Sequence, residues 1–238
     1  MAENSIDLND HFCLFLNTLL KDVDSLIDVM FEAFLKATEE SLGTISLEDE
    51  GFLFFPHFLK LNITMIPSSL LGKVFSLIID KFCVENNPLL LEQVLAVGKD
   101  IINMYGQSQQ ETLISLFDGY LDRKDLDMGK QVSILTFMGV LSKYLSNPMR
   151  IEILAKKILE IIMEANQNFQ LSLARCLADT IVFFKDPELI IEEKERECLK
   201  ETNKTRQRGC AFLVAGLVRG LGIAMIEKLG IFKYVYSC

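Results

Sequence analysis

Tryptophan is absent from this chain of 238 residues, histidine occurs only twice and proline only five times, while half of the sequence is hydrophobic. A sheet protein needs frequent turns, and so few prolines with 13 glycines do not supply them. A mean hydropathy of +0.28 excludes a disordered chain, and the length is ample for a large buried core. Leucine and isoleucine dominate, so the expected fold class is all-α.

The chemistry of most enzymes is missing too. His11 and His57 stand far apart, each in an apolar helical stretch, which argues against a histidine-based metal site or catalytic base. The six cysteines, Cys13, Cys83, Cys176, Cys198, Cys210 and Cys238, form no CxxC pair, and several lie inside apolar periodic runs; they read as reduced core residues. Asp122 to Gly129, DRKDLDMG, faintly suggests a calcium loop, but the twelfth position from Asp125 is Thr136 rather than a closing glutamate. The glycines from Gly216 to Gly222 follow no strand and lack the GK[ST] element of a phosphate loop. No nucleophile motif occurs. The expectation is a non-enzyme with no catalytic, cofactor-binding or metal-binding residues and no small-molecule substrate.

Basic residues are scarce where the chain begins. Its first fifty residues hold twelve acids against Lys21 and Lys36, a balance of −10 that leaves the rest of a chain of net charge −9 at +1. An acidic head and a near-neutral body argue against non-specific nucleic-acid binding by the whole chain, though not against a local basic contact. The acidic start lacks the basic region of a signal or transit peptide, and a cytoplasmic location is the default expectation.

What the chain does contain is helix punctuation. Asn87-Pro88, Asn147-Pro148 and Asp186-Pro187 pair a capping side chain with a proline whose missing N–H loses no bond in the first turn, and Pro67-Ser68-Ser69 is a related start. Apolar periodicity predicts helices over residues 10–20, 23–42, 52–66, 69–85, 88–105, 109–124, 128–146, 148–165, 169–184, 187–202 and 207–222, with a last one from Ala224 toward Tyr236. The segment FLFFPHFLKL is aromatic enough to pass for a strand, but helix is preferred. Taken in pairs these helices repeat: Gly98, Gly139, Ala178 and Gly216 mark the second helix of successive pairs at intervals of 41, 39 and 38 residues. A period near forty with two antiparallel helices per unit is that of HEAT or armadillo arrays, in which each pair lends a face to the next. The expected organisation is acidic N-terminal helices over 1–50 and an α-solenoid array of about four repeats plus a terminal helix over 51–238.

The densest signal is Lys204 to Ile223, KTRQRGCAFLVAGLVRGLGI. Glycine costs a helix interior about 1 kcal/mol against alanine, so several in one helix point to close approach of another backbone. Gly209 to Ile226 carries one charge, Arg219, with Gly216 and Gly220 as a small-xxx-small pair, yet an arginine near mid-span costs about 3 kcal/mol in a membrane and no aromatic belt flanks the run. A buried solenoid helix is the better reading. Glu192 to Glu201 is a mixed-charge run suited to i,i+4 pairs on a solvated face. Lys204, Arg206 and Arg208 fall at the turn before the glycine-rich helix. Structural bonding to neighbouring carbonyls is the plainer role for them; a phosphate or partner contact is the alternative, with Arg219 as a further candidate.

This string resembles a signature of the large HEAT-repeat translational activator of the general amino-acid control pathway. There a lysine and paired basic residues precede glycine, two small residues and an aromatic, then a leucine-alanine-glycine-leucine-valine-basic-glycine-leucine-glycine run. Here Lys204, Arg206 to Arg208, Gly209, Cys210, Ala211, Phe212 and Ala215 to Gly222 stand at those positions, with Gln207 where a charged residue is commoner. Leu89 to Leu121, Met128 to Leu145 and Asn166 to Leu177 are similar to preceding family units, so the likeness runs in order from about Phe52 to Lys233. Pro187 to Thr202 is more charged than its family counterpart, and the ending KYVYSC departs. The resemblance implies ribosome association, an ABC-F ATPase partner, and support of the initiation-factor-two kinase in amino-acid starvation, with kinase docking elsewhere in the family's much longer chains. A tubulin-, cargo- or assembly-binding solenoid would put aromatic and basic residues at the intra-repeat turns, which here are polar or acidic. Elongation factor three, whose helical part is related, would need Walker sequences, and none occurs.

Overall fold

The structure, a computed structural model, describes residues 27–41, 53–83, 87–184 and 187–224. The expected helices over 10–20 and beyond Ala224 and the Asp186 cap lie outside them. Among the described residues every regular element is a helix, and the chain is all-α, of the helical-repeat class. It divides into two compact units, Met1–Arg123 and Lys124–Cys238.

The first unit contains α1 (Ile27–Ser41), α2 (Phe54–Leu61), α3 (Leu71–Leu77) and α4 (Pro88–Leu121). The aromatic segment that could have formed a strand is α2. Its Pro56 sits in the first turn, where the missing N–H leaves no bond unmade. The rings explain the composition: Phe34 meets Phe58 at 3.9 Å between centroids, Phe55 stacks on Phe82 at 4.5 Å, and Phe75 meets Phe117 edge-on at 5.3 Å. Helix α3 opens from a tight turn at Ser68–Leu70 and closes in a wide π turn at Ile78–Phe82. The two helices expected over 88–105 and 109–124 are arms of one element, broken at Gln109, whose φ of −120° and ψ of 20° leave the helical region.

The second unit contains α5 (Met128–Leu141), α6 (Pro148–Glu164), α7 (Gln167–Ile181), α8 (Pro187–Leu199) and α9 (Lys204–Leu221). Helix α5 is buried around its whole circumference from Val132 to Gly139. Its two interior hydroxyls bond within the helix, Ser133 to Gly129 O at 2.8 Å and Thr136 to Val132 O at 2.8 Å, so no buried polar group there is left unmatched. Helix α7 is packed by α5, α6 and α9.

The caps at Asn87 and Asn147 work as the sequence indicates, and Asn166 supplies one that its punctuation does not mark. Asn87 Oδ1 accepts from Leu90 N at 3.0 Å, Asn147 Oδ1 from Met149 N at 3.0 Å, and Asn166 Oδ1 from Phe169 N at 3.1 Å. The repeat is written in the polar contacts as well. Eight side-chain bonds between separate elements join residues 35 to 42 apart: Glu32 with Lys73, Ile63 and Ile66 with Tyr105, Asp80 with Tyr120, Leu135 with Cys176, Glu164 with Arg206, Gln170 with Thr205 and Arg208. One helix pair thus contacts the equivalent place in the next, within each unit.

One sequence expectation fails here. Cys198 and Cys210 are not reduced core thiols but a disulfide, with Cα atoms 5.6 Å apart, joining α8 to α9. Neither apolar periodicity nor a CxxC spacing marks a pair 12 residues apart in sequence. Cys83 and Cys176 are buried, as expected of core residues.

Candidate functional site

The glycine-rich helix α9 starts three residues earlier than its apolar pattern predicts. Asn203 is its cap, accepting from Thr205 N at 2.9 Å and Arg206 N at 3.3 Å. Lys204, Arg206 and Arg208 therefore lie in the first turns of the helix, not in the turn before it. Cations oppose the positive end of a helix dipole, so this placement requires compensation.

Three carboxylates provide it for Arg206. Glu201 accepts from Nε at 2.6 Å, Glu197 of α8 from Nη2 at 2.8 Å, and Glu164 of α6 from Nη1 at 3.1 Å. Every nitrogen of the guanidinium is engaged, and these contacts, hydrogen bonding to Glu201 first, raise its pKa. The Glu201 carboxyl is held below the usual carboxylate range, first by the backbone N–H of Asn203 at 2.9 Å and then by Arg206. Its own carbonyl accepts from the Gln207 side chain at 3.0 Å.

Arg208 has a different partner. Its Nε donates to Gln170 Oε1 at 2.7 Å, and Gln170, fully buried, spends its amide on Ile162 O at 3.0 Å and Thr205 O at 3.1 Å. One glutamine so joins the end of α6, the start of α7 and the first turn of α9. Lys204 and Arg219 are exposed. They lie at opposite ends of α9, separated along the helix by about 22 Å at 1.5 Å per residue. The four candidate residues thus form no single cluster: two are half-buried and bonded into the joint between helices, and two face outward.

Along the same helix the glycines touch backbone, as their number requires. A Cβ at Gly209 would lie 2.7 Å from Ile162 O, at Gly216 2.6 Å from Ala174 O, and at Gly220 2.7 Å from Ala178 O. Helix α9 rides on α6 and α7 with nothing between the main chains. Among the described residues no helix is long and apolar enough to cross a membrane, and no cluster of three metal-ligating side chains is present.

The sequence reading missed Glu164, Gln170, Glu197, Glu201 and Asn203. The forty-residue interval was the usable signal: Glu164 precedes Arg206 by 42 residues and Gln170 precedes Arg208 by 38.

No family model matches the chain, and no solved structure matches it. Curated proteins do. It is 27% identical over 185 residues to the eIF-2-alpha kinase activator GCN1 of Dictyostelium discoideum, covering 74% of this chain and 7% of that protein. It is 24% identical over 169 residues to Protein ILITYHIA of Arabidopsis thaliana and, over the same length, to the Stalled ribosome sensor GCN1 of Homo sapiens, covering 68% of this chain and 6% of each. The chain therefore spans less than a tenth of the length of these relatives. Over two thirds or more of its own length, on a fold of stacked helix pairs, the chain is thus similar to one short segment of those large GCN1 proteins.

Proposed function

We propose that this chain is a non-enzymatic helical-repeat scaffold in the control of translation, associating with the ribosome in the cytoplasm and contributing to activation of the initiation-factor-two kinase under amino-acid starvation. The supporting observation is the similarity to proteins named as an eIF-2-alpha kinase activator and a stalled ribosome sensor. The joint at α9 supports a scaffold role, since its polar chemistry is spent on holding helices together. Kinase docking is assigned to regions of the longer relatives outside this segment, and an ABC-F ATPase is the further partner that the resemblance implies.

Within that reading the contact residues divide by exposure. Lys204 and Arg219 are outward cations able to meet phosphate or acidic side chains, whereas Arg206 and Arg208 shape the surface that carries them. A tagged chain should sediment with ribosomes in a sucrose gradient, and replacing both Lys204 and Arg219 with alanine should shift it toward the top while leaving its melting temperature unchanged. A wild-type chain that stays at the top, with and without translational stalling, overturns the ribosome reading.

A further inference from the structure

The Cys198–Cys210 pair differs in its setting from the other described cysteines. Cys83 and Cys176 are closed inside packed helices, and the Cys176 thiol donates to Leu135 O at 2.9 Å. Cys198 lies only half-buried on the last turn of α8, while Cys210 is buried on the second turn of α9 with its sulfur 3.9 Å from Met163 Sδ. Cys198 is therefore the more exposed partner of the bond, and Cys210 is backed by the core.

The position along the chain gives that bond leverage. Cys210 stands four residues after Arg206, on the same face of α9. Cys198 directly follows Glu197 and stands three before Glu201, two of the three carboxylates that bond Arg206. Bond and ion cluster fix the same short segment, the C-terminal turn of α8 and the link to α9. Helix α8 is the most highly charged of the second unit, with four glutamates in its 13 residues besides Glu188.

We propose that Cys198 and Cys210 form a reversible redox clasp that fixes α8 on α9 and keeps Arg206 bonded into the joint, and that reduction frees the end of α8 and turns the Arg206 guanidinium toward solvent. Closing the clasp joins the two sulfurs, with two protons and two electrons leaving to a low-molecular-weight disulfide, which becomes two thiols. Opening it is the reverse exchange: a dithiol attacks the Cys198 sulfur, passes through a mixed disulfide and ends as a cyclic disulfide, leaving both cysteines as thiols. Loss of the bond removes the restraint on the loop between the two residues, and the ion cluster alone then competes with water.

The test uses the full chain, oxidised with glutathione disulfide or reduced with dithiothreitol, and does not depend on ribosome binding. Peptide mass mapping without reductant should recover the 198–210 cross-link from the oxidised chain. Amide exchange across residues 191–203 should be about tenfold faster after reduction, with α5 and α7 unchanged. Cys198→Ser should exchange at the reduced rate in both conditions, and because this side chain is half-buried its substitution leaves the core packing intact. Failure to recover the cross-link, equal exchange in the two states, or a bond that dithiothreitol opens only once the chain has unfolded would each overturn the clasp.

Discussion

A β-carbon added at Gly216 would stand 2.6 Å from the carbonyl oxygen of Ala174 and 3.2 Å from its Cα, both backbone atoms that no rotamer change can move. Gly216→Ala should therefore destabilise the chain by about 1–3 kcal/mol through overpacking. Gly119 is the control: it lies exposed in α4 with nothing within 4 Å of its Cβ position, so Gly119→Ala should stabilise by about 0.4–1 kcal/mol through the unfolded state. Paired thermal or urea melts decide it, and a Gly216→Ala chain as stable as the wild type or more so would show that α9 is not pressed against α7. Gln170 is the second test at this scale. Gln170→Leu keeps the volume but leaves the carbonyls of Ile162 and Thr205 and the Arg208 guanidinium without their partner, a loss of about 1–3 kcal/mol. Gln170→Glu should recover the Arg208 contact but not the two carbonyls.

Among the elements, α9 is held at its start by charge and along its length by close packing, and the two respond differently to pH. The folded-state pKa of Glu201 is depressed, so the unfolded chain binds the proton more tightly. Its contribution is then fully present above the unfolded carboxylate pKa and is lost as pH falls through the lower folded value. Denaturant melts taken from neutral pH downward should show wild type losing stability in that acid window relative to Glu201→Gln, whose amide does not titrate. Parallel curves for the two proteins would remove Glu201 from the joint. The caps at Asn87 and Asn147 were legible because capping is local and proline marks the next position. The cap at Asn203 was obscured by the basic residues after it, which read as a loop because lone cations at a helix start are unfavourable; their compensating carboxylates come from other helices. The break at Gln109, by contrast, falls where the apolar pattern already separates a helix over 88–105 from one over 109–124. Glycine spacing in α9 was legible as a close backbone approach, but not which backbone approached.

Across the whole molecule, charge is divided as the helices are. The unit Met1–Arg123 carries 19 acidic and seven basic residues, while Lys124–Cys238 carries 14 and 17. One is strongly acidic and the other mildly basic. Both candidate outward cations, Lys204 and Arg219, belong to the second, as do the clasp and the α9 joint. Each unit also has its own interior: Phe31, Phe75, Phe82 and Phe117 in one, Phe137, Leu173 and Leu177 in the other, all almost wholly buried. A unit that buries its apolar side chains internally should retain structure when separated, as the nearest-neighbour energetics of repeat arrays allow. Expressed alone, residues 124–238 should give a helical far-UV spectrum, a cooperative melt, and whatever anion-dependent binding the full chain shows, with a salt slope at least as steep because the acidic unit no longer repels the same partner. Residues 1–123 should fold but bind nothing anionic. If 124–238 folds and the binding stays instead with 1–123, the exposed cations of α9 are not the contact, however well the helix is packed.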